Sequence, residues 1–405
     1  MRLINPVIFI FLLQGIICAQ PELSSKEIND QVVFSFEKTN DLILLKVRFQ
    51  NVLPLKFIFD TGAEHCILFK KEYSDLLGIT YQKKIPLLGS DLSQEIFAFI
   101  ARGVILNIED ACLAKTDMLV LEDDYIRLDE YTGTNIDGIL GANIFRSFVV
   151  FVNNRHNKIA FIRPNKFNPG NRYQVIPIQI YKNKPFINAI AMIDREEIPI
   201  KLLMDTGAAL PLLLYTNTHE DLKLPPETIN GNIGMGLGGL LEGYIGRLNK
   251  LSFADYEFVN LITSYQELNL DSIPKIEIDR NGLLGNTILS RFNYYIDYIN
   301  EKLYIKPNKK YRKKFRFDKS GLLVAATGPN LKNYIIQKVI TNSPASELGL
   351  KQGDVIKKIN GLPSQLISLP FISAILAGKE GKKIRLIILR NGEKMKLHFK
   401  LRNLI

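Results

Sequence analysis

An internal repeat of 144–145 residues constrains the fold of this 405-residue chain more than any other feature. Two segments share an apolar run followed by Asp-Thr-Gly-Ala, at residues 57–63 and 202–208. Two more share Asp or Asn, Gly, two apolar residues and Gly, at residues 137–141 and 281–285. Each is followed by a similar aromatic and β-branched tail, at residues 148–159 and 292–303. The four landmarks, which are the apolar run, the Asp-Thr-Gly-Ala turn, the second glycine motif and the tail, recur in the same order, so the sequence predicts two duplicated units of about 140 residues.

The residue pattern between these landmarks is typical of a mostly β protein. Short apolar or alternating runs recur with turn residues between them, at 42–49, 96–100, 148–152, 198–204 and 294–305. Helical stretches are short, for example at 70–77. We therefore expect both units to be built mainly from strands.

The two Asp-Thr-Gly turns can bring two carboxylates into one site. If a pseudo-two-fold axis relates the units, Asp60 and Asp205 face each other where the units meet. Two carboxyl groups in hydrogen-bonding contact share a proton, so one can act as a base on water while the other acts as an acid. Glycine permits the tight turn, and the threonine hydroxyl can bond across the joint. The predicted supporting residues are Thr61, Gly62, Thr206 and Gly207.

These motifs resemble those of the aspartic peptidases over roughly residues 30–307. Both Asp-Thr-Gly-Ala segments are similar to the retropepsin form of the active-site motif, although both halves lie in one chain, as in pepsin-like enzymes. The resemblance implies a bilobal acid-protease β-barrel, with lobe 1 at residues 30–165 and lobe 2 at 170–307. It also implies that Asp60 and Asp205 hold the catalytic water, that the substrate is a polypeptide, and that neither a metal nor another cofactor is needed.

The residue after each glycine differs from the common pepsin-like pattern. Ala63 and Ala208 stand where those enzymes commonly have Ser or Thr. A hydroxyl there would donate to the carboxylate and favour its charged form, so its absence should raise the pKa of the aspartates. We expect an activity optimum less acidic than that of a digestive enzyme, and a maximum below about pH 3.5 would contradict this.

A glycine-rich stretch in the second unit predicts a mobile flap over the site. Seven glycines lie between positions 231 and 246. The candidate flap residues are Gly234, Met235, Gly236, Leu237, Gly238 and Gly239. A plain glycine-rich turn is the alternative. The corresponding stretch of the first unit, near 87–93, is poor in glycine, which leaves open whether one flap or two cover the cleft.

After residue 307 the sequence changes to a basic linker at 308–317 and a third unit at 318–405. Its Ser-Pro-Ala, Gly-Leu and Gly-Asp-Val-Ile series, at residues 343–356, resembles the PDZ domains of exported bacterial peptidases. The resemblance implies a small α+β domain that takes a peptide or a C-terminus by strand addition. The expected peptide-binding loop is Gly321, Leu322, Leu323 and Val324. A structural domain without a peptide ligand is the alternative.

The N-terminus predicts export through a signal peptide at residues 1–19. A positive start precedes an apolar run at 4–17 that is too short to span a bilayer. Cleavage after Ala19 is favoured over lipid anchoring through Cys18, and the expected location is periplasmic, cell-envelope or secreted. Cys66 and Cys112 would then either form a bridge or remain inert buried thiols, which we favour.

The net charge of +11 is not distributed as a nucleic-acid binder requires. Residues 1–305 carry 30 Lys and Arg against 36 Asp and Glu. Residues 306–317 carry seven basic residues and no acid, and residues 318–405 carry 15 against five. The basic tail is therefore expected to dock weakly on the acidic lobes or to associate with anionic material of the cell envelope. No nucleic-acid partner is expected.

The sequence as a whole predicts an exported aspartic endopeptidase with a PDZ domain for substrate or partner docking. A monomer suffices, because both catalytic halves lie in one chain. The alternative is a catalytically inactive peptide-binding or scaffold protein of the cell envelope. Other chemistries lack their motifs, since no His-Glu-x-x-His segment and no Gly-x-Ser-x-Gly elbow occurs.

Overall fold

The structure is a computed structural model that describes residues 22–23, 30–88, 95–237, 239–268 and 280–405. The predicted signal peptide, including Cys18, and the flap residue Gly238 lie outside the described residues. The strands are β1 (Glu22–Leu23), β2 (Gln31–Ser35), β3 (Glu37–Thr39), β4 (Leu42–Phe49), β5 (Leu53–Phe59), β6 (Cys66–Leu68), β7 (Tyr81–Leu88), β8 (Glu95–Ile108), β9 (Cys112–Leu121), β10 (Gly138–Leu140), β11 (Val149–Asn153), β12 (Lys158–Ile162), β13 (Gln174–Pro177), β14 (Gln179–Tyr181), β15 (Lys184–Ile193), β16 (Glu196–Asp205), β17 (Leu212–Tyr215), β18 (Thr228–Gly236), β19 (Gly239–Phe253), β20 (Tyr256–Gln266), β21 (Gly282–Gly285), β22 (Phe292–Asp297), β23 (Lys302–Pro307), β24 (Leu322–Thr327), β25 (Asn333–Val339), β26 (Val355–Ile359), β27 (Leu362–Pro363), β28 (Lys383–Arg390) and β29 (Glu393–Lys400). The helices are α1 (Lys71–Leu76), α2 (Leu128–Thr132), α3 (Asn286–Leu289), α4 (Pro344–Glu347) and α5 (Leu369–Leu376).

The two lobes repeat one sheet topology. In lobe 1 the strand order is β1-β9-β6-β10-β5-β4-β8-β7, with β3 beside β4. In lobe 2 it is β14-β15-β16-β21-β17-β20-β19-β18. In both lobes, a short strand, β10 or β21, pairs with the strand that leads to Asp-Thr-Gly, β5 or β16. Strand β10 runs parallel to β5 and antiparallel to β6, and β21 runs parallel to β16 and antiparallel to β17. The sequence repeat therefore corresponds to a structural repeat.

A third sheet joins the lobes, in the order β13-β23-β22-β11-β12-β2. The two similar tails found in the sequence form its centre, where β11 of lobe 1 pairs antiparallel with β22 of lobe 2. Phe151 lies opposite Tyr295, and their rings stack with centroids 4.2 Å apart. One hydrophobic core continues through both lobes and includes Phe57, Phe145 and Met204. The predicted mostly β, bilobal architecture is confirmed.

The third unit folds around a hydrophobic core of its own. Its sheet has the order β24-β25-β26-β28-β29, with β27 paired to β26. Ser343 caps the N-terminus of helix α4: its hydroxyl accepts from the Ser346 N–H at 3.2 Å, while the Ser346 hydroxyl accepts from the Ser343 N–H at 2.9 Å. The Asn360-Gly361 turn closes a hairpin with both residues at positive φ, as two-residue hairpin turns require.

None of the helices in the described part of the chain is long and apolar enough to cross a bilayer. Helix α1 lies within the predicted helical stretch at 70–77. The basic linker is ordered along lobe 2, where the side chains of Tyr311 and Phe315 pack against the main core. The lobes, the linker and the third unit are therefore in direct contact.

Candidate active site

Each Asp-Thr-Gly turn holds its carboxylate in the same way. Asp60 follows β5, and its Oδ1 accepts from the N–H groups of the second and third following residues at 2.7 and 3.1 Å. Asp205 ends β16, and its Oδ1 accepts from the equivalent N–H groups at 2.8 and 3.1 Å. Two backbone donors on one oxygen fix the orientation of each carboxyl group and leave the other oxygen directed toward the joint between lobes.

The two threonines bind the turns to each other. The Thr61 hydroxyl donates to the Met204 carbonyl at 2.6 Å and accepts from the Thr206 N–H at 3.1 Å. The Thr206 hydroxyl donates to the Phe59 carbonyl at 2.8 Å and accepts from the Thr61 N–H at 3.0 Å. Both threonines are fully buried. Four hydrogen bonds therefore lock the two lobes together directly beneath the carboxylates.

Each glycine packs against the carboxyl group of the opposite lobe. A Cβ added to Gly62 would lie 2.6 Å from the carboxyl carbon of Asp205. A Cβ added to Gly207 would lie 2.5 Å from the carboxyl carbon of Asp60 and 2.3 Å from its Oδ2. Side-chain carbons do not approach other atoms this closely, so only glycine fits at either position. The absence of these side chains is what allows Asp60 and Asp205 to meet.

The electrostatics of the pair follow from this approach. The carboxyl groups of Asp60 and Asp205 hydrogen-bond to each other, and burial raises the pKa of both. The pKa of Asp60 rises well above its usual range, because the charge of Asp205 adds to the effect of burial. The Arg280 guanidinium acts in the opposite direction on the pKa of Asp205. The pair is therefore suited to hold one proton, with the negative charge favoured on Asp205.

The short strands that pass beside the turns are anchored by equivalent side chains. Asp137 Oδ2 accepts from the Lys56 N–H at 2.9 Å in lobe 1. Asn281 Oδ1 accepts from the Lys201 N–H at 2.9 Å in lobe 2. These residues begin the two apolar-apolar-Gly segments of the repeat, and they hold β10 and β21 against the strands that carry the aspartates.

The flap residues lie at the tip of the β18–β19 hairpin in lobe 2. Gly236 pairs with Gly239 at the end of the hairpin, and Met235 pairs with Leu240. The side chains of Met235 and Leu237 pack on a lobe 1 hydrophobic cluster whose outer residues include Ala63 of the catalytic turn. The hairpin therefore spans from lobe 2 to lobe 1 close to the carboxylates.

Lobe 1 has a hairpin at the equivalent place in its sheet, formed by β7 and β8. Leu88 pairs with Glu95 at its end, and residues 89–94 between them lie outside the described residues. Leu87 packs on the same lobe 1 cluster as Met235 and Leu237. Although the glycine pattern is confined to lobe 2, the fold supplies a hairpin from each lobe.

The backbone N–H groups at the start of the predicted peptide-binding loop of the third unit already have a hydrogen-bond partner within the domain. The carboxylate of Asp318 accepts from the Ser320 N–H at 2.9 Å and from the Gly321 N–H at 2.6 Å. Leu322 begins the edge strand β24, together with Leu323 and Val324. Backbone N–H groups at this place would otherwise be available to a terminal carboxylate. In this conformation an internal carboxylate takes them.

A segment of lobe 1 packs against the edge strand that follows the predicted peptide-binding loop of the third unit. Helix α2 packs against the edge strand β24. Tyr131 in that helix hydrogen-bonds to the side chain of Gln337. The backbone at Gly133 approaches α5 so closely that an added Cβ would lie 2.8 Å from the Cβ of Leu369. The edge strand and the start of α5 are thus both in contact with lobe 1.

Cys66 and Cys112 are both buried, and the bridge between them is not formed. Burial raises the pKa of the Cys66 thiol to about 12, so this thiol is inert as a nucleophile at neutral pH. Within the ranges that the structure describes, no three His, Cys, Asp or Glu side chains gather as a metal site would require.

One residue of the site was not predicted from the sequence. Arg280 affects the pKa of Asp205 from the position just before the landmark at 281–285. The offset of 144 places buried Ile136 at the equivalent point of lobe 1. The sequence signal that could have identified Arg280 is this difference between the repeats, a cation in one and an apolar residue in the other.

Comparison with known families agrees with these observations. Residues 45–144, which contain the Asp60 turn, match the family model described as aspartyl protease. Residues 315–401 match the family model described as PDZ domain. A search of curated proteins finds no match. The chain is therefore similar to aspartyl proteases in its first lobe and to PDZ domains in its third unit, which confirms the resemblance seen in the sequence.

Proposed function

We propose that this protein is an aspartic endopeptidase in which Asp60 and Asp205 activate a water molecule to hydrolyse peptide bonds. The observation that carries the proposal is the buried, mutually hydrogen-bonded carboxyl pair at the junction of two equivalent lobes. A buried pair of this kind is costly for folding. The four cross-lobe hydrogen bonds of the threonines hold the lobes together, but this does not require a carboxyl group at either position. The four turn N–H groups hold the two carboxyl groups in place against each other, and no structural need for such a pair is evident.

The proposed reaction assigns different parts to the two aspartates. Asp205, on which Arg280 favours the negative charge, takes a proton from water as the water oxygen attacks the substrate carbonyl carbon. Asp60, whose pKa is raised further, gives its proton to the carbonyl oxygen. In the second half, Asp205 gives its proton to the leaving nitrogen as the C–N bond breaks, and Asp60 takes a proton from a hydroxyl of the tetrahedral diol, which becomes the new carboxylic acid. The pair then again holds one proton, on Asp60.

The hairpins and the PDZ domain define how a polypeptide would be held. Leu87 of the lobe 1 hairpin and Met235 and Leu237 of the lobe 2 hairpin pack on the cluster that reaches Ala63. These side chains would have to move away to admit an extended chain and would exclude water after returning. A PDZ domain is a peptide-binding module, and peptide binding here would require α2 and the edge strand β24 to separate. We propose that this domain docks a substrate or a partner peptide.

The test is hydrolysis of an unfolded casein between about pH 3 and 8, a range that covers the titration of raised carboxyl pairs. Wild type should cleave and should be inhibited by pepstatin. Asp60→Asn and Asp205→Asn should each lose at least about 10²–10⁴-fold in rate. Asp255→Asn removes a lobe 2 carboxylate outside the site and should retain full activity. If wild type is as inert as the two variants, the inactive peptide-binding alternative replaces the enzyme.

We also propose export to the periplasm, cell envelope or exterior, with removal of residues 1–19. The support is the short apolar run after a basic start. N-terminal sequencing of the protein recovered from its native membrane and soluble fractions tests this. A mature chain that begins at Gln20 supports cleavage, a lipid-modified Cys18 supports an anchor, and an intact Met1 contradicts both.

A further inference from the structure

A large basic cavity lies where lobe 2, the linker and the PDZ domain meet, away from the paired aspartates. Its volume is about 860 Å³, within the range of ligand sites in proteins. Four arginines, five lysines and two glutamates line it. The cations are Arg247, Arg291, Arg312, Lys313, Lys314, Arg316, Lys319, Lys379 and Lys382. Such an excess of one sign on the wall of a cavity raises the local concentration of anions.

The positive charge of this cavity is only partly compensated by the acidic side chains that line it. Within the described residues, none of the nine cations pairs with an Asp or Glu side chain, whereas Arg247 Nε donates to the Ile405 oxygen at 3.3 Å. Of the two acids, Glu257 pairs with Lys250 at 3.3 Å, and Glu380 accepts from the Asn403 N–H at 3.4 Å. Among the described residues, the ion pair that joins the PDZ domain to the lobes is Lys338 with Glu242, outside the cavity. The linker cations are therefore not used to dock the tail on the acidic lobes.

The linker is held in a fixed position rather than left as a tether. The buried Arg291 guanidinium donates to the carbonyl groups of Tyr311 and Lys313 and lies 3.5 Å from the ring centroid of Phe315. The Tyr311 hydroxyl donates to the Glu257 carbonyl at 3.2 Å. These contacts hold Tyr311 and Phe315 on lobe 2. The three basic residues between them, at 312–314, stay exposed.

This arrangement indicates what kind of ligand fits. Guanidinium groups present fixed forks of N–H donors that match phosphate oxygens, and lysines add point charges. Positively charged groups come from three parts of the chain, so a ligand with one negative charge would leave most of them unsatisfied. We propose that this cavity binds a ligand carrying several phosphate groups, supplied either by a soluble oligophosphate or by the phosphorylated headgroups of membrane lipids. Such a ligand would bridge lobe 2 and the PDZ domain.

The test compares two triple variants of the full mature protein that lose the same charge. R312Q/K313Q/K314Q removes exposed cations from the cavity wall. K394Q/K396Q/K400Q removes exposed cations of β29 that do not line it. Binding is measured by calorimetry with sodium tripolyphosphate and by co-sedimentation with phosphatidylcholine vesicles, with or without phosphatidic acid. Equal Tm values for the two variants and wild type would show that the fold is intact.

The proposal expects anion binding by wild type and the β29 variant, and binding at least about 10-fold weaker by the linker variant. Tripolyphosphate binding without vesicle binding supports a soluble ligand, and vesicle binding that depends on phosphatidic acid supports a lipid source. Equal losses in both variants, or no binding to either probe, would overturn the proposal. A single-stranded oligonucleotide that binds wild type and is not displaced by tripolyphosphate would also overturn it. None of these readings depends on peptidase activity.

Discussion

The two Asp-Thr-Gly turns are nearly identical in their contacts and differ in their surroundings. Around Asp60 and Asp205, the hydrogen-bond distances to the following N–H groups agree within 0.1 Å. The strands beside them have the same pairing. In lobe 2, however, Arg280 acts on Asp205, whereas Ile136 occupies the equivalent sequence position in lobe 1. Symmetry of the backbone thus coexists with asymmetry of the electrostatics.

The unequal surroundings explain how two copies of one residue could take the two proposed roles. Equal backbone contacts bring the carboxyl groups together, but equal environments would leave the proton shared without preference. One cation near Asp205 favours the charge on that side. Substitutions can test separately what the shared geometry and the unequal charge each contribute to stability and activity.

The largest expected effect is loss of the close approach between the lobes. Gly62→Ala and Gly207→Ala each place a methyl group within 2.7 Å of the opposite carboxyl group. Because displacement of about 1 Å at a reacting group can cost about 10²-fold in rate, casein hydrolysis should fall by at least that much. Gly207→Ala should be the more damaging, since its contact is shorter.

The matched control is Gly231→Ala, because an added Cβ there meets no atom within 4 Å. It should keep the Tm of wild type, while both catalytic glycine variants lose stability. Full activity of Gly62→Ala and Gly207→Ala would show that the carboxyl groups do not need to meet.

The next effect concerns the symmetric threonine contacts. Thr61→Val and Thr206→Val each leave one buried N–H and one buried carbonyl without a hydroxyl partner. An unsatisfied buried polar group costs about 1–3 kcal/mol, so each variant should lose several kcal/mol in free energy of unfolding. Urea denaturation of the two single variants and the double variant measures this.

The two threonine losses should be similar, and the double variant should lose less than their sum, because both residues serve one network. The conservative Thr61→Ser and Thr206→Ser variants retain the hydroxyl and should stay near wild type. Strongly unequal losses would show that the symmetry of the contacts does not extend to their energies.

A smaller effect is a gain in stability when one catalytic carboxyl group is removed. Because the pKa values of Asp60 and Asp205 are raised in the folded state, folding is favoured while they are protonated. Stability is lost as pH rises from the unfolded pKa of about 3.9 through the folded values. Asp60→Asn should therefore raise Tm at neutral pH by a few degrees, with about 2–4 °C expected per kcal/mol.

The Tm difference between Asp60→Asn and wild type should shrink as pH falls toward the unfolded pKa of about 3.9, because the wild-type pair takes up protons over that range. Thermal scans at closely spaced pH values follow this trend. Asp255→Asn, which removes an exposed lobe 2 carboxylate, is the control. A constant difference at all pH values would contradict the proposed ionisation of the pair.

The catalytic turns could be predicted from the sequence because their chemistry is local. Four consecutive residues specify each turn, and the repeat supplies the second copy. The tail at 292–303 was also readable, although the apolar run at 294–305 proves to be two strands, β22 and β23, separated by a turn with Glu301 at positive φ. Alternating aromatic residues continue through that turn and hide it.

Other features depend on contacts between distant parts of the chain. Helix α5 was not predicted, because its sequence, Leu-Pro-Phe-Ile-Ser-Ala-Ile-Leu, lacks a polar face. The helix forms because Ser368 caps it by accepting from the Phe371 N–H and because three of its side chains are buried, those of Leu369, Ile372 and Leu376. The approach of α2 to β24 joins residues about 190 positions apart, and no local pattern encodes it. Tertiary packing, rather than residue propensity, determines both features.

The smallest and most specific effect isolates the electrostatic difference between the lobes. Besides the hydrogen bonds from Asp60 and the turn N–H groups, the Arg280 guanidinium lowers the pKa of Asp205, and Arg280→Met removes this one cause while the turn contacts stay in place. The pKa of Asp205 should rise, so the acidic limb of the kcat/KM profile should move to higher pH, because the base must be ionised to accept the proton of water. Lys223→Gln removes an exposed lobe 2 cation outside the site and should leave the profile unchanged. If the acidic limb is the same in Arg280→Met and wild type, the roles of the two aspartates must be set by the substrate rather than by Arg280, and the electrostatic asymmetry of the lobes would have no part in the reaction.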